Sequence, residues 1–331
     1  MKKLFLLLFF ILLLLPIIQQ QFHMVKEPYI NENRYLSQQP KFNLNNIKEF
    51  PSLFENFFND NFGFRPFLIQ ANSYIKIKLL SKQYVDGIII GQDGWLFLDN
   101  GLGSINEPAQ YTNQELVEIK IKQEFITKQL NTMNIYYLEM LIPDKNSVYP
   151  NKLPVQSNRN VKTTKLKKRG ETTLLSLFNQ EKKYPVYYKT DSHWNRYGSY
   201  LAYRNIIENI AVKYPQISAA KIKNNTISLI PKKGGDLANI VIQKSLYSDF
   251  ETQFNLDTSS ITNTNKLDKI IIYYDSFFDP KNSWSTVQFL KENFREVKLI
   301  LNINPLDLNY IKNEKPNVVL FEKVERALDI K

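Results

Sequence analysis

After Met1-Lys2-Lys3, residues 4–18 are apolar throughout, with one proline at Pro16. From Lys26 to Lys48 the chain turns polar and asparagine-rich, which predicts a tether, and folding is predicted to start near Phe50. Phe54, Phe57, Phe58, Phe62, Leu68, Tyr74, Ile75 and Leu79 recur at helical spacing through Leu80. Gly63 breaks that pattern and Pro66 sits at a first turn, so two helices are expected. Gly87 to Leu98 reads as a β-hairpin, two apolar runs joined through Asp93-Gly94, where the glycine takes a positive φ. Asn113 to Met133 reads as an amphipathic helix capped by Thr112 or Asn113.

A strand at Ile135 to Ile142 follows, and the alternation then repeats. A helix at Thr172 to Phe178 precedes a strand at Val186 to Tyr188, and a helix at Tyr197 to Val212 precedes a strand at Ile270 to Tyr274. A helix at Ser283 to Phe294, a strand at Val297 to Ile303, a short helix from Pro305 and a strand at Val318 to Phe321 complete the pattern. Helices alternating with buried strands build a mostly parallel sheet with helices on both faces, an α/β three-layer sandwich. Residues 213–266 are the least regular stretch, with β-like fragments such as Thr226 to Ile230, and read as an insertion or lid.

The first apolar run is a membrane element. As a helix, residues 4–18 span about 22 Å, short of the ~30 Å hydrocarbon core, which favours a cleaved export signal. The residues just past it, Gln19-Gln20-Gln21-Phe22-His23, offer no small side chain for a signal peptidase, and the first alanine is Ala71. The reading adopted is an uncleaved anchor at residues 1–22, a tether at 23–49 and a catalytic domain at 50–331. The two lysines before the run place the N-terminus in the cytoplasm and the folded body outside it, a single-pass protein of the cytoplasmic membrane.

Charge and cysteine count narrow the chemistry. Forty-three Lys and Arg against 32 Asp and Glu give a net charge of +11. Beyond the cluster Lys165 to Arg169 no basic stripe interleaves with aromatics, so no nucleic-acid partner is expected. Cysteine is absent, which removes disulfides, thiolate metal sites and cysteine nucleophiles. Of two histidines, His23 adjoins the N-terminal apolar run, leaving His193 as the imidazole available to a folded site. No second histidine or tight carboxylate cluster is evident, so neither metal nor cofactor is expected.

Two segments carry candidate chemistry: Thr190-Asp191-Ser192-His193-Trp194 and Tyr274-Asp275-Ser276-Phe277. In open α/β sheets, reacting groups gather where strands end, and both segments are predicted there. Ser276 needs a base to take its proton; His193 can supply it, and Asp191 can orient the ring and offset its charge. The plainer alternatives are that Asp191 caps the following helix and Ser276 satisfies a turn. Trp194 is either a sugar-stacking wall or a core residue.

Tyr188 to Gly198 resembles the Thr-Asp-x-His-Trp-x-x-x-Gly signature of the alginate O-acetyltransferase family, proteins with an SGNH-hydrolase-like domain. Ile272 to Phe277 is similar to that family's strand ending in Gly-Asp-Ser-Phe, with Tyr274 replacing the glycine. Asn61 to Arg65, Gly91 to Phe97, Pro143 to Pro150 and Gly234 to Leu237 also match, so the resemblance runs from Phe54 to about Phe321. It implies an SGNH-hydrolase-like fold with Ser276 as nucleophile, His193 as base and Asp191 as its orienter. It also implies an acetyl group received from a membrane-embedded donor protein and passed to a hydroxyl of an exported, alginate-like polysaccharide. Tyr274 crowds the turn before the nucleophile. The Ser276 amide is the first oxyanion donor expected and Gly235 the second. Lys145, Tyr149 and Asp236 are candidates to line the cleft; a solvated lysine, a packing tyrosine and a plain turn are the alternatives. An esterase with the same triad and a non-catalytic glycan-binding protein of the envelope are the rival functions.

Overall fold

The computed structural model describes residues 2–26, 35–99, 113–154, 174–241 and 247–327. The basic cluster at 165–169, the Thr112 cap and residues 27–34 of the tether lie outside the described residues. Helix α1 (Lys2–Phe22) is long and apolar enough to cross a membrane by length and composition. Its 21 residues extend about 31 Å.

The broken helical pattern becomes α2 (Phe50–Asn61) and α3 (Arg65–Tyr74), with a proline in the first turn of each. A small antiparallel sheet follows, β1 (Tyr84–Val85), β2 (Ile88–Ile90) and β3 (Leu96–Leu98), in which Ile89 pairs with Phe97. At the predicted turn Gly94 has φ 78° and Asp93 φ 53°. Next come α4 (Asn113–Thr132), β4 (Tyr136–Ile142), α5 (Lys145–Val148), α6 (Leu174–Gln180) and α7 (Arg196–Ala211). The region read as an insertion holds two antiparallel ladders flanking a short helix: β5 (Lys221–Ile222), β6 (Ser228–Lys233), α8 (Asp236–Ile240), β7 (Ser248–Gln253) and β8 (Leu256–Asp257). Strand β5 pairs with β8, and β6 with β7. The chain closes with β9 (Leu267–Tyr274), α9 (Val287–Leu290), β10 (Phe294–Leu301), α10 (Leu308–Glu314) and β11 (Val318–Val324).

Strands β10, β9, β11 and β4 lie in that order in one parallel sheet. Alternation along β9 divides the layers. Ile270 and Ile272 pack with residues of α6, α7 and α9, whereas Ile271 and Tyr273 pack with Leu130 of α4 and Ile311 of α10. All four are 0–1% exposed, so each contributes on the order of 2 kcal/mol of burial. Both faces of this sheet are therefore covered, which explains its nearly continuous apolar strands.

Two expected elements differ. Val186 to Tyr188 is not a sheet strand: Tyr187 makes a single antiparallel bridge to Trp194, closing a loop. Its apolar run reflects burial of a loop arm, with Tyr187 and Tyr188 each 1% exposed. The helix expected at Ser283 to Phe294 shrinks to the four residues of α9. There the Ser285 hydroxyl bonds the Phe278 carbonyl, the side chain-to-backbone competition that opposes helix.

Candidate active site

The loop 188–195 is closed at its base by hydrogen bonds from Asn195 N–H to the Val186 carbonyl (3.0 Å) and from Tyr188 N–H to the His193 carbonyl (3.3 Å). Asn195, and not Asp191, caps α7: its Oδ1 accepts from the N–H groups of Tyr197 and Gly198, both at 3.0 Å. Asp191 is thereby free to face the imidazole. His193 Nδ1 lies 2.8 Å from Asp191 Oδ1, which also accepts the His193 N–H at 3.1 Å. On the other side of the ring, Nε2 is 2.9 Å from Ser276 Oγ, from a residue 83 positions away.

Ser276 lies two residues past the end of β9 and is exposed. Its turn is built by Asp275, whose Oδ1 accepts the Phe277 N–H at 2.9 Å and whose Oδ2 accepts the Val324 N–H at 3.1 Å. Glu322 of β11, fully buried, accepts the Asp275 N–H at 2.8 Å. Tyr274 does not strain this turn. It remains in the ladder opposite Leu301, and no residue between 270 and 280 has a positive φ, so a glycine is not needed there. Among the described residues the Ser276 N–H has no partner, which leaves it open toward a ligand.

Several residues missed or misplaced by sequence reasoning hold the histidine loop. Lys145 does not line a cleft: it is 3% exposed, and its ammonium donates to the carbonyls of Tyr188, Lys189 and Asp191 at 3.0, 3.0 and 2.8 Å. Burial lowers its pKa to about 8, against the opposing pull of Asp236, Asp249 and Asp191. Asp249, buried on β7, accepts from the N–H groups of Lys189 (3.0 Å) and Thr190 (2.7 Å) and from the Thr190 hydroxyl (2.6 Å). Nothing in its local sequence marks it. Tyr149 packs 4.3 Å from Trp95, ring to ring, and its hydroxyl accepts the Val186 N–H at 2.9 Å, so it supports the loop from below. Trp194 is 0% exposed among Phe178, Phe277 and Phe278, with no face toward a ligand; the stacking-wall expectation is corrected.

The irregular region contributes Gly235 and Asp236. The Gly235 N–H donates to the Thr190 hydroxyl at 2.8 Å, so it is engaged and does not serve as the second oxyanion donor. A Cβ on this glycine would fall 2.5 Å from Asp191 Oδ2. The Asp236 N–H donates to Asp191 Oδ2 at 3.1 Å, while its own Oδ1 accepts the Ser192 N–H at 2.7 Å. Folding thus does gather a carboxylate pair: Asp191, His193 and Asp236 have ligand-type atoms within 4.8 Å of one another. Those atoms are already engaged in hydrogen bonds within the group and to Ser192, which makes it a positioning network for the ring. Burial alone would raise the Asp191 pKa, but the His193 ring and the backbone N–H groups outweigh it and hold the carboxyl below its ordinary range. Burial and the Asp191 charge push Asp236 the other way, up. An ionised Asp191 beside one ring nitrogen and a serine hydroxyl on the other suits proton abstraction from that hydroxyl.

A family model described as the SGNH hydrolase-like domain of acetyltransferase AlgX matches residues 88–283. No protein in a curated collection matches the chain in sequence. Among solved structures, the chain is similar to Bacillus cereus PatB1 (16% identity, TM-score 0.50), covering 73% of this chain and 98% of that one. It is similar to Pseudomonas aeruginosa AlgX (13% identity, TM-score 0.50), covering 73% of this chain and 62% of that longer one. The O-acetyltransferase domain of Pseudomonas putida AlgJ also aligns (17% identity, TM-score 0.49; 74% and 93% covered). At these identities the PatB1 and AlgX likenesses establish a shared fold.

Proposed function

The chain belongs to the SGNH hydrolase-like AlgX acetyltransferase family, and from that premise we propose that it moves an acetyl group through Ser276, His193 and Asp191 onto hydroxyls of an exported polysaccharide. The observation that carries this reading is the continuous line Asp191 to His193 to Ser276, at 2.8 and 2.9 Å.

In the first half-reaction His193 Nε2 takes the Ser276 proton as Oγ attacks the acetyl carbonyl of the donor. The bond to the leaving group breaks, the leaving group departs with that proton, and an acetyl ester remains on Ser276. In the second, a sugar hydroxyl yields its proton to Nε2 while its oxygen attacks the ester carbonyl, and Ser276 Oγ leaves and recovers the proton. The free N–H of Ser276 is the donor we assign to the oxyanion of both tetrahedral intermediates. Asp191 keeps the ring's other nitrogen protonated and offsets the imidazolium charge.

We further propose residues 1–22 as a single-pass anchor, 23–49 as a tether and 50–331 as a domain held outside the cytoplasm, close to a membrane-embedded acetyl donor. The apolar α1 supports the anchor. The exposure of Ser276 supports a second reading, an esterase in which water takes the place of the sugar. The test compares acetyl transferred to an added oligosaccharide with acetate released, in the wild type and in Ser276→Ala and His193→Ala. Both products should fall at least about a thousandfold in each variant; unchanged turnover in Ser276→Ala removes the triad mechanism, and acetate without transfer assigns the esterase.

A further inference from the structure

Trp284 was not singled out by the sequence, yet it is the partly exposed aromatic beside the proposed base. Its ring lies 5.7 Å from that of His193, centre to centre, inclined by 35°. Tyr188 braces it edge-on at 5.5 Å. The Lys232 ammonium stands 4.0 Å over the Tyr188 ring and 5.6 Å from that of Trp284, held by Glu251 at 3.5 Å. Glu251 also accepts the Tyr188 hydroxyl at 2.6 and 2.7 Å, so the aromatic wall is fixed from behind.

Glu251, and Ser283 just before Trp284, also line an open cavity of about 600 Å³ together with Arg196, Lys223, Thr226 and Gln253. This volume is within the ~300–1,000 Å³ range of small-molecule sites. Its walls carry hydroxyl, amide and charged groups, with the Phe254 ring forming one apolar side. Trp284 adjoins this cavity through Ser283 in its wall, and an aromatic ring next to a pocket of hydrogen-bond donors and acceptors matches a sugar, which has a C–H face and a rim of hydroxyls.

We propose that Trp284 and this cavity form a second acceptor subsite, so that the polysaccharide lies across the active site with one sugar at Ser276 and its neighbours running over Trp284 into the pocket. This rests on the acyl-transfer reading above and deepens it: the acceptor is a chain, recognised beyond the sugar that is modified. A monosaccharide fills the reacting position alone and forgoes the contacts at Arg196, Thr226 and Gln253.

The test measures binding, apart from turnover. Full-length Ser276→Ala protein in detergent is titrated by calorimetry with mannuronate oligomers and with cello-oligomers, from the monosaccharide to the hexasaccharide. Affinity should rise about tenfold or more with length in one series. Thr226→Trp, which covers the cavity from an exposed wall position, should flatten that rise, as should Lys223→Glu; Trp284→Ala should weaken every oligomer. Equal affinity for monosaccharide and hexasaccharide in both series, or an undiminished rise in both cavity variants, overturns the subsite. Formation of the Ser276 acetyl ester, followed by mass in protein carrying Ser276 after exposure to an activated acetyl ester, separately reports on the triad. A flat titration with a normal acyl-enzyme therefore rejects the subsite alone.

Discussion

Gly235 approaches Asp191 so closely that a single added carbon would lie 2.5 Å from its Oδ2. The glycine's own φ of −85° is open to any residue, so the requirement is steric. Asp191 cannot simply turn aside, because its two oxygens are tied to His193 and to the Asp236 N–H. Gly235→Ala should therefore displace the carboxylate from the imidazole and lower kcat by about tenfold to a hundredfold. Overpacking should cost a further 1–2 kcal/mol or so in urea unfolding. Wild-type kcat in this variant would show that Asp191 does not set the ring's position.

The three carbonyls bound by Lys145 make a stronger demand. Lys145→Met keeps the length of the side chain and removes every donor, leaving buried acceptors unmet at a cost of about 3 kcal/mol. The pH dependence has a definite sign. Burial holds the folded pKa at about 8, below the ordinary 10.5, so the unfolded chain binds the extra proton between those values. The stability linked to this group is full above 10.5 and is lost as pH falls through 8. Activity should move the opposite way, declining above about pH 8 as the ammonium loses a proton and the loop one of its three bonds. A urea midpoint that does not rise between pH 8 and 10 relative to Lys145→Met contradicts the assignment.

Trp194 and Trp284 should separate cleanly. Trp194→Leu should lower stability by on the order of 3 kcal/mol, the cost of a large core truncation, with no change in KM for the acceptor. Trp284→Ala should raise that KM. A raised acceptor KM in Trp194→Leu at unchanged stability would restore the stacking role for the residue beside the histidine.

Much of the architecture was legible because long periodic segments leave little choice. The helix expected at Tyr197 to Val212 is observed at Arg196–Ala211, and Asp93-Gly94 forms its hairpin turn. Val186 to Tyr188 misled because burial, without pairing, suffices to make a run apolar. The proximity of Asp191, His193 and Ser276 could be anticipated from a scarce imidazole and two loops expected at strand ends, although only the Ser276 loop follows a sheet strand. The support around them could not. Lys145 looks like any lysine after a Pro-Asp pair, and Asp249 like any acid in a short strand. Only the tertiary fold delivers one to three carbonyls and the other to two N–H groups and a hydroxyl. Asp236 reaches the ring from the least regular region of the sequence, beyond its β-like fragment at Thr226 to Ile230.

Glu322 tests whether the nucleophile turn depends on a neutral carboxyl beneath it. Burial first, and the adjacent Asp275 carboxylate second, raise its pKa well above the ordinary 4.5. The folded protein therefore holds a proton that the unfolded chain releases above that value, and the linked stability, full below about 4.5, drains away as pH rises. Glu322→Gln preserves a carbonyl acceptor for the Asp275 N–H and carries no titrating proton. Its stability should exceed that of the wild type by about 1 kcal/mol or more at pH 8, with the gap narrowing toward pH 4.5. Transfer activity should persist in Glu322→Gln but fall in Glu322→Ala, where the part-buried Asp275 N–H loses its acceptor next to Ser276. Urea midpoints at the two pH values decide the matter: a Glu322→Gln protein that tracks the wild type at both places the charge of Glu322 outside the energetics of the turn.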